Sequence, residues 1–156
     1  MASTTTGQSG GQQGIRRPRV GIVGAGASGL CMAIGLKEAG FDDFAILEKS
    51  DGVGGTWRDN TYPGAGCDVP SHMYSFSFAP NPDWSQVYSP QPEILAYFED
   101  CARRWDLLAH CHFRTEIESA VFDEAEGNWR VRTKDGRHFA FDVLVSGVGQ
   151  LNKPAY

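Results

Sequence analysis

Val20-Gly21-Ile22-Val23-Gly24-Ala25-Gly26-Ala27-Ser28-Gly29-Leu30 reads as a buried strand, a glycine turn and the start of a helix. Val20, Ile22 and Val23 are apolar and β-branched, as a central parallel strand requires. Gly24, Gly26 and Gly29 are spaced as GxGxxG. In that pattern the first glycine allows the tight turn, the second lets backbone approach a pyrophosphate, and the third lets helix and strand pack closely. Amides at the start of the helix then face the anion, assisted by the helix dipole.

The flanking residues supply the context that a lone glycine motif lacks. Leu30, Ala33, Ile34 and Leu36 continue a helical apolar stripe to Ala39, and Gly40 is a natural stop. Phe44-Ala45-Ile46-Leu47 is a second short buried strand ending at Glu48, nineteen residues after Gly29. A dinucleotide-binding βαβ unit expects an acid at about that distance, about 20 residues on, bonding the ribose hydroxyls. An acid here disfavours a 2′-phosphate, so FAD or NAD is expected over NADP. The plainer alternative is a structural strand–turn–helix with no ligand.

A chain of 156 residues, 41 % apolar, suits one domain or part of one. A net charge of −5 gives no nucleic-acid footprint. No apolar run reaches the roughly 18 residues of a membrane helix. Residues 1–17 read as a disordered leader, uncharged and rich in Ser, Thr, Gly and Gln up to residue 14, and residues 18–156 as the folded domain. Arg16, Arg17 and Arg19 read as solvated charges flanking the first strand. Cys31, Cys67, Cys101 and Cys111 form no CxxC pair, which suggests reduced thiols and a cytoplasmic location. His110-Cys111-His112 is a poor metal set, because adjacent strand residues point to opposite faces.

Gly54-Gly55-Thr56-Trp57 supplies a second glycine turn, a hydroxyl and a flat apolar face. Residues 58–90 lack periodicity and carry many aromatics, the pattern of a functional loop. Within it Asp68 is either a carboxylate near a cofactor or a turn aspartate. Gln91–Leu107 reads as a helix with apolar face Ile94, Leu95, Phe98, Cys101, Ala102 and Trp105. Candidate strands at 111–115, 117–122, 128–133 and 137–141 form a β-meander, with Trp129, Val131 and Thr133 on its buried face. A last buried strand, Phe141–Val145, leads to a third glycine turn at Gly147 and Gly149.

Several motifs then agree. Gly24–Gly29, Glu48, Gly54-Gly55-Thr56-Trp57, Tyr62-Pro63-Gly64-Ala65, Cys67-Asp68 and Tyr74-Ser75-Phe76-Ser77-Phe78 occur in order. Trp84-Ser85, Tyr88, Gln91-Pro92-Glu93-Ile94 and Gly149-Gln150-Leu151-Asn152-Lys153-Pro154 follow. Over residues 18–154 the chain resembles the N-terminal, FAD-binding part of Baeyer–Villiger monooxygenases, within the class B flavin-containing monooxygenases. The resemblance implies an α/β fold: a Rossmann-like FAD-binding βαβ unit with a parallel sheet and an inserted antiparallel meander. It implies FAD held at its pyrophosphate by Gly24, Gly26, Ala27, Ser28 and Gly29, and at its ribose by Glu48. Gly55, Thr56 and Trp57 would line the flavin side, with Asp68 as the catalytic carboxylate and Tyr74 beside it. Ile117 would contact the adenine end, and Gln150 would close over the cofactor. The implied reaction converts a ketone to an ester or lactone through a flavin peroxide, with NADPH and O2 as co-substrates. Two departures accompany the resemblance. Gly66 stands where many relatives carry arginine, and the family's FxGxxxHxxxW stretch and NADPH-binding fold lie outside the sequence. An incomplete catalyst is therefore expected, needing a companion domain or chain. A heteroatom-oxidising fragment and a non-catalytic FAD-binding module are the alternative readings.

Overall fold

The computed structural model describes residues 16–149. β1 (Val20–Val23) leads into α1 (Ala27–Glu38), β2 (Phe44–Leu47) and the single turn α2 (Thr56–Asp59). A long irregular segment with one 3₁₀ turn at Ser71–Met73 precedes α3 (Gln91–Arg104). β3 (Cys111–His112), β4 (Ile117–Asp123), β5 (Asn128–Thr133), β6 (His138–Phe141) and β7 (Val143–Ser146) follow. The strands form a four-stranded parallel sheet of order β3-β2-β1-β7 and a three-stranded antiparallel meander, β4-β5-β6. The expected α/β architecture is the observed one.

The parallel sheet is covered on both faces, and period-two alternation along β2 sorts its side chains between them. Phe44 and Ile46 join Val20, Ile22, Leu30, Ala33 and Ile34 on the helix side, in one cluster with Ile94, Phe98 and Cys101 of α3. Ala45 and Leu47 join Val131 and Phe141 of the meander on the other. β1 offers glycine to that second face. A Cβ at Gly21 would lie within 2.7 Å of Phe141 ring carbons, so the missing side chain is what admits the ring. α1 ends as expected beside Gly40, whose amide bonds the carbonyl of Lys37 while that of Phe41 bonds Leu36. No helix of the described residues is long and apolar enough to cross a membrane.

Two strand expectations and one helix expectation need correction. Residues 111–112 do not join the meander; they pair in parallel with Ile46 and Leu47. Phe141–Val145 is not one strand. Phe141 ends β6 in the meander and Val143 starts β7 in the parallel sheet. The break is fixed at Asp142, whose carboxylate accepts from the Arg19 amide at 2.6 Å and pairs with Arg16. Third, α3 ends at Arg104 rather than Leu107. The three N-terminal arginines are not merely solvated: Arg19 also faces Asp43 at 3.6 Å, and Arg17 lies over the Phe41 ring. His110 stacks on Phe44 at 4.1 Å, while His112 meets Phe139 edge-on, so the two imidazoles serve different faces.

The Gly21–Phe141 contact can be tested by a double-mutant cycle in urea. Phe141→Ala should cost about 3–5 kcal/mol, as a large core truncation, and Gly21→Val about 1–3 kcal/mol, as overpacking. The double variant should fall well short of the sum, because the valine enters the space the ring leaves. Strict additivity would refute the packing.

Candidate functional site

The chain leaves β1 toward β2 and β3, then returns to the opposite side of β1 as β7. That reversal opens a crevice at the carboxyl ends of β1 and β7, where ligands bind in open parallel sheets. The glycine turn occupies it. The Gly24 amide donates to the Leu47 carbonyl at 2.9 Å, and the Leu30 amide closes the first helical bond onto Gly26 at 2.9 Å. The third glycine of the motif packs helix against turn: a Cβ on Gly29 would fall onto the Gly24 carbonyl oxygen. No side chain caps α1 and no acid lies in its first turn. Ala27 and Ser28 there are exposed, and first-turn amides have no intrahelical acceptor. This end of α1 is open to an anion.

The second glycine loop comes up against the first. The Gly54 amide donates to the Ala25 carbonyl at 2.9 Å. Gly55 has a φ of 54°, and a Cβ on it would lie 2.9 Å from the Cα of Gly26. Two backbones therefore meet with no side chain between them, leaving a groove that an elongated diphosphate group could follow.

Glu48 is buried at the end of β2. Its Oε2 accepts from the Ala25 amide at 2.6 Å, and its Oε1 accepts from both the amide and the hydroxyl of Ser50 at 2.8 Å. Its backbone amide donates to His112, and its carbonyl accepts from Thr115. Each carboxylate oxygen has about two acceptor positions, so Oε2 keeps one for a further donor such as a ribose hydroxyl. Thr115 leads into Ile117, which packs beside Leu47 and Phe141 at the start of β4. Glu48 and Ile117 thus lie at one end of the crevice.

Thr56 and Trp57 open α2, both half-buried. The Trp57 indole donates to the Tyr74 hydroxyl at 3.0 Å, and the rings stand edge to face with centroids 5.6 Å apart. Burial raises the Tyr74 phenol above its ordinary value, the bond from Trp57 opposes this, and charge at Cys67 and Asp68 adds to the rise. Asp68 is exposed on the loop beyond Cys67. Gln150 lies outside the described residues.

Residues to which the sequence reading gave no role in the site hold this geometry. The Gln91 amide donates to the Trp57 carbonyl. The Tyr97 hydroxyl accepts from the Phe76 amide at 2.7 Å and donates to the Ala79 carbonyl at 2.9 Å, pinning the aromatic loop to α3. Glu93 accepts from the amide and hydroxyl of Ser85, which holds its carboxyl below the usual range. Arg58 bridges Val53 and Glu99. Ser50 had a local signal, a hydroxyl two residues after the acid. The others join positions far apart in the chain and had none.

Residues 22–90 match the model of the NAD(P)-binding Rossmann-like domain family. A Baeyer–Villiger monooxygenase of Pseudomonas aeruginosa is 48 % identical over 141 residues, 90 % of this chain and 27 % of that protein. An FAD-binding monooxygenase of Botryotinia fuckeliana is 43 % identical over 141 residues, covering 85 % of this chain and 27 % of the relative. The structure of an oxidized steroid monooxygenase bound to NADP superposes with a TM-score of 0.79 at 41 % identity, covering 89 % of this chain and 28 % of the other. Sheet order, glycine turn and family match together define a Rossmann-like dinucleotide-binding fold. Within that class the chain is similar in sequence to Baeyer–Villiger monooxygenases. It spans about a quarter of the length of the curated relatives it matches.

Replacing Glu48 by Gln puts an amide donor where backbone and hydroxyl donors converge. Glu48→Gln should lower unfolding free energy by about 1–3 kcal/mol, and Ser50→Ala by about 1 kcal/mol, in urea denaturation. Unchanged midpoints would show that the carboxylate does not hold the turn.

Proposed function

We propose that residues 18–156 are the FAD-binding portion of an NADPH- and O2-dependent monooxygenase of Baeyer–Villiger type, whose longer form converts a ketone to an ester or lactone. The observation that carries this reading is the meeting of Gly26 and Gly55 beside the uncapped end of α1. A side chain on Gly55 would collide with Gly26, so at this meeting point it is backbone that an approaching diphosphate would face. The relatives named above support FAD as the occupant and NADPH as co-substrate.

In this reading the amides of Ala27, Ser28 and Gly29 bind the pyrophosphate, with Gly24 and Gly26 shaping the turn. Glu48 orients the ribose through the free acceptor position on Oε2. Ile117 bounds the adenine end. Gly55 and Thr56 border the flavin side, where Trp57 and Tyr74 hold each other and exclude water. Asp68 contributes the negative charge assigned to the reacting side. When bound, FAD supplies the redox chemistry, accepting hydride from NADPH and activating O2. The ketone substrate and the companion domain that would bind NADPH belong to the longer protein.

The test is a visible absorption spectrum of the chain after FAD is added and the excess removed by desalting. Flavin bands should stay with the protein and be lost in Gly26→Trp, which fills the groove while keeping Glu48 intact. A chain folded by circular dichroism that retains no flavin would overturn the reading.

A further inference from the structure

We propose that Arg58 is the positioning residue of the second glycine loop, fixing Gly54 and Gly55 against the first glycine turn by anchoring the loop to α3. This rests on the FAD reading above. The Arg58 Nε donates to the Val53 carbonyl at 2.7 Å, and its Nη2 donates to Glu99 Oε1 at 2.8 Å. Its Nη1 lies 3.5 Å from Asp51 Oδ1. The guanidinium fills the space that a Cβ on Gly52 would need, and Leu95 of α3 does the same for Gly54. The loop backbone is thereby held between an arginine and a helix.

The loop is also tied by the Gly54 amide to Ala25, by the Ser50 hydroxyl to the Gly52 carbonyl and by Gln91 to the Trp57 carbonyl, and Arg58 adds an ion pair to Glu99 of α3. α2 has only four residues, far fewer than a helix needs to persist unaided. Val53 lies one residue before Gly54, whose amide donates to Ala25 in the first turn. A continuous path therefore runs from Glu99 through Arg58 and Val53 to Gly54 and Ala25. An arginine suits the task because its planar fork addresses two acceptors in fixed directions, which a lysine ammonium does not. The pair is about one-third exposed or less, at 26 % and 34 %. When it is broken, the β1–α1–β2 core stays packed but Gly55 is free to leave Gly26.

The consequence is selective. Arg58→Met and Glu99→Lys should each weaken FAD binding about tenfold, the loss expected from one charge-assisted hydrogen bond. Their combination should do little more, and Arg58→Lys should recover part of the loss. AMP, whose single phosphate reaches the first turn alone, should bind each variant within about twofold of wild type. Flavin fluorescence titration, calorimetry with AMP and circular dichroism of the 156-residue chain measure all three quantities. Arg58→Met within about twofold of wild type for FAD would overturn the assignment. So would parallel loss of FAD, AMP and folded signal, which would make Arg58 a general stabiliser. A folded wild-type chain that binds neither ligand would overturn the FAD reading itself, and this assignment with it.

Discussion

The buried carboxylate of Glu48 is the interaction on which the crevice depends. An ionised carboxylate removed from water is costly unless donors replace the lost hydration. Here two backbone amides and a hydroxyl do so. The donors come from two segments, the glycine turn after β1 and the loop after β2, which also meet through the Gly54 amide on the Ala25 carbonyl. The backbone of the same residue carries the ladder outward, donating to His112 and accepting from Thr115. One residue therefore joins the glycine turn, the end of β2, the edge strand β3 and the approach to the meander. Charge-assisted hydrogen bonds to an anion are shorter and stronger than neutral ones, and the 2.6 Å contact from Ala25 is the shortest of the three.

The other organising element is α3. The long segment between α2 and α3 has almost no regular structure, so its backbone groups need partners elsewhere. Three side chains from the first two turns of α3 answer that need. Gln91 holds the carbonyl of Trp57, Glu93 holds Ser85, and Tyr97 holds both Phe76 and Ala79. Burial raises the Tyr97 phenol far above its ordinary value, so it stays a neutral donor and acceptor. The aromatic rings of Phe76, Trp84, Tyr97 and Phe98 pack around this hydroxyl. A loop rich in aromatics is thus a shaped wall, rigid because a helix supports it.

The fold was legible where local pattern decides it. β-branched residues before GxGxxG, an apolar helical stripe and an acid at the end of the next strand each follow from backbone geometry and burial. Val131 and Thr133 are buried as alternation predicts. What was not legible depends on pairing between distant segments. Two residues, Cys111 and His112, are too few to show a period, so nothing marked them for the parallel sheet. Phe141 read as the end of one strand and the start of the next, and the capture of Asp142 by Arg19 is what separates the two. In the site, glycines were visible because a missing side chain leaves a mark in the sequence. The supports Gln91, Tyr97 and Arg58 were not, since their partners are 34, 21 and 41 residues away.

Glu48 also shows why an acid at this position does two jobs that cannot be separated by deleting it. The sequence pattern assigns it to a ribose, and the structure shows its carboxylate already holding the turn that would hold the pyrophosphate. Three donors use three of its roughly four acceptor positions, so a ribose can share the group but not displace what it holds. Removing the carboxylate would disorder the turn and lose the ligand together, and a loss of binding would not identify a ribose contact. Groups that touch the groove without supporting it are more informative. Gly26 is such a position: its carbonyl starts α1, and a side chain there would meet the Gly55 backbone at 3.5 Å without touching a bond to Glu48. The carboxylate that builds the scaffold is thus the one the sequence pattern assigns to the ligand.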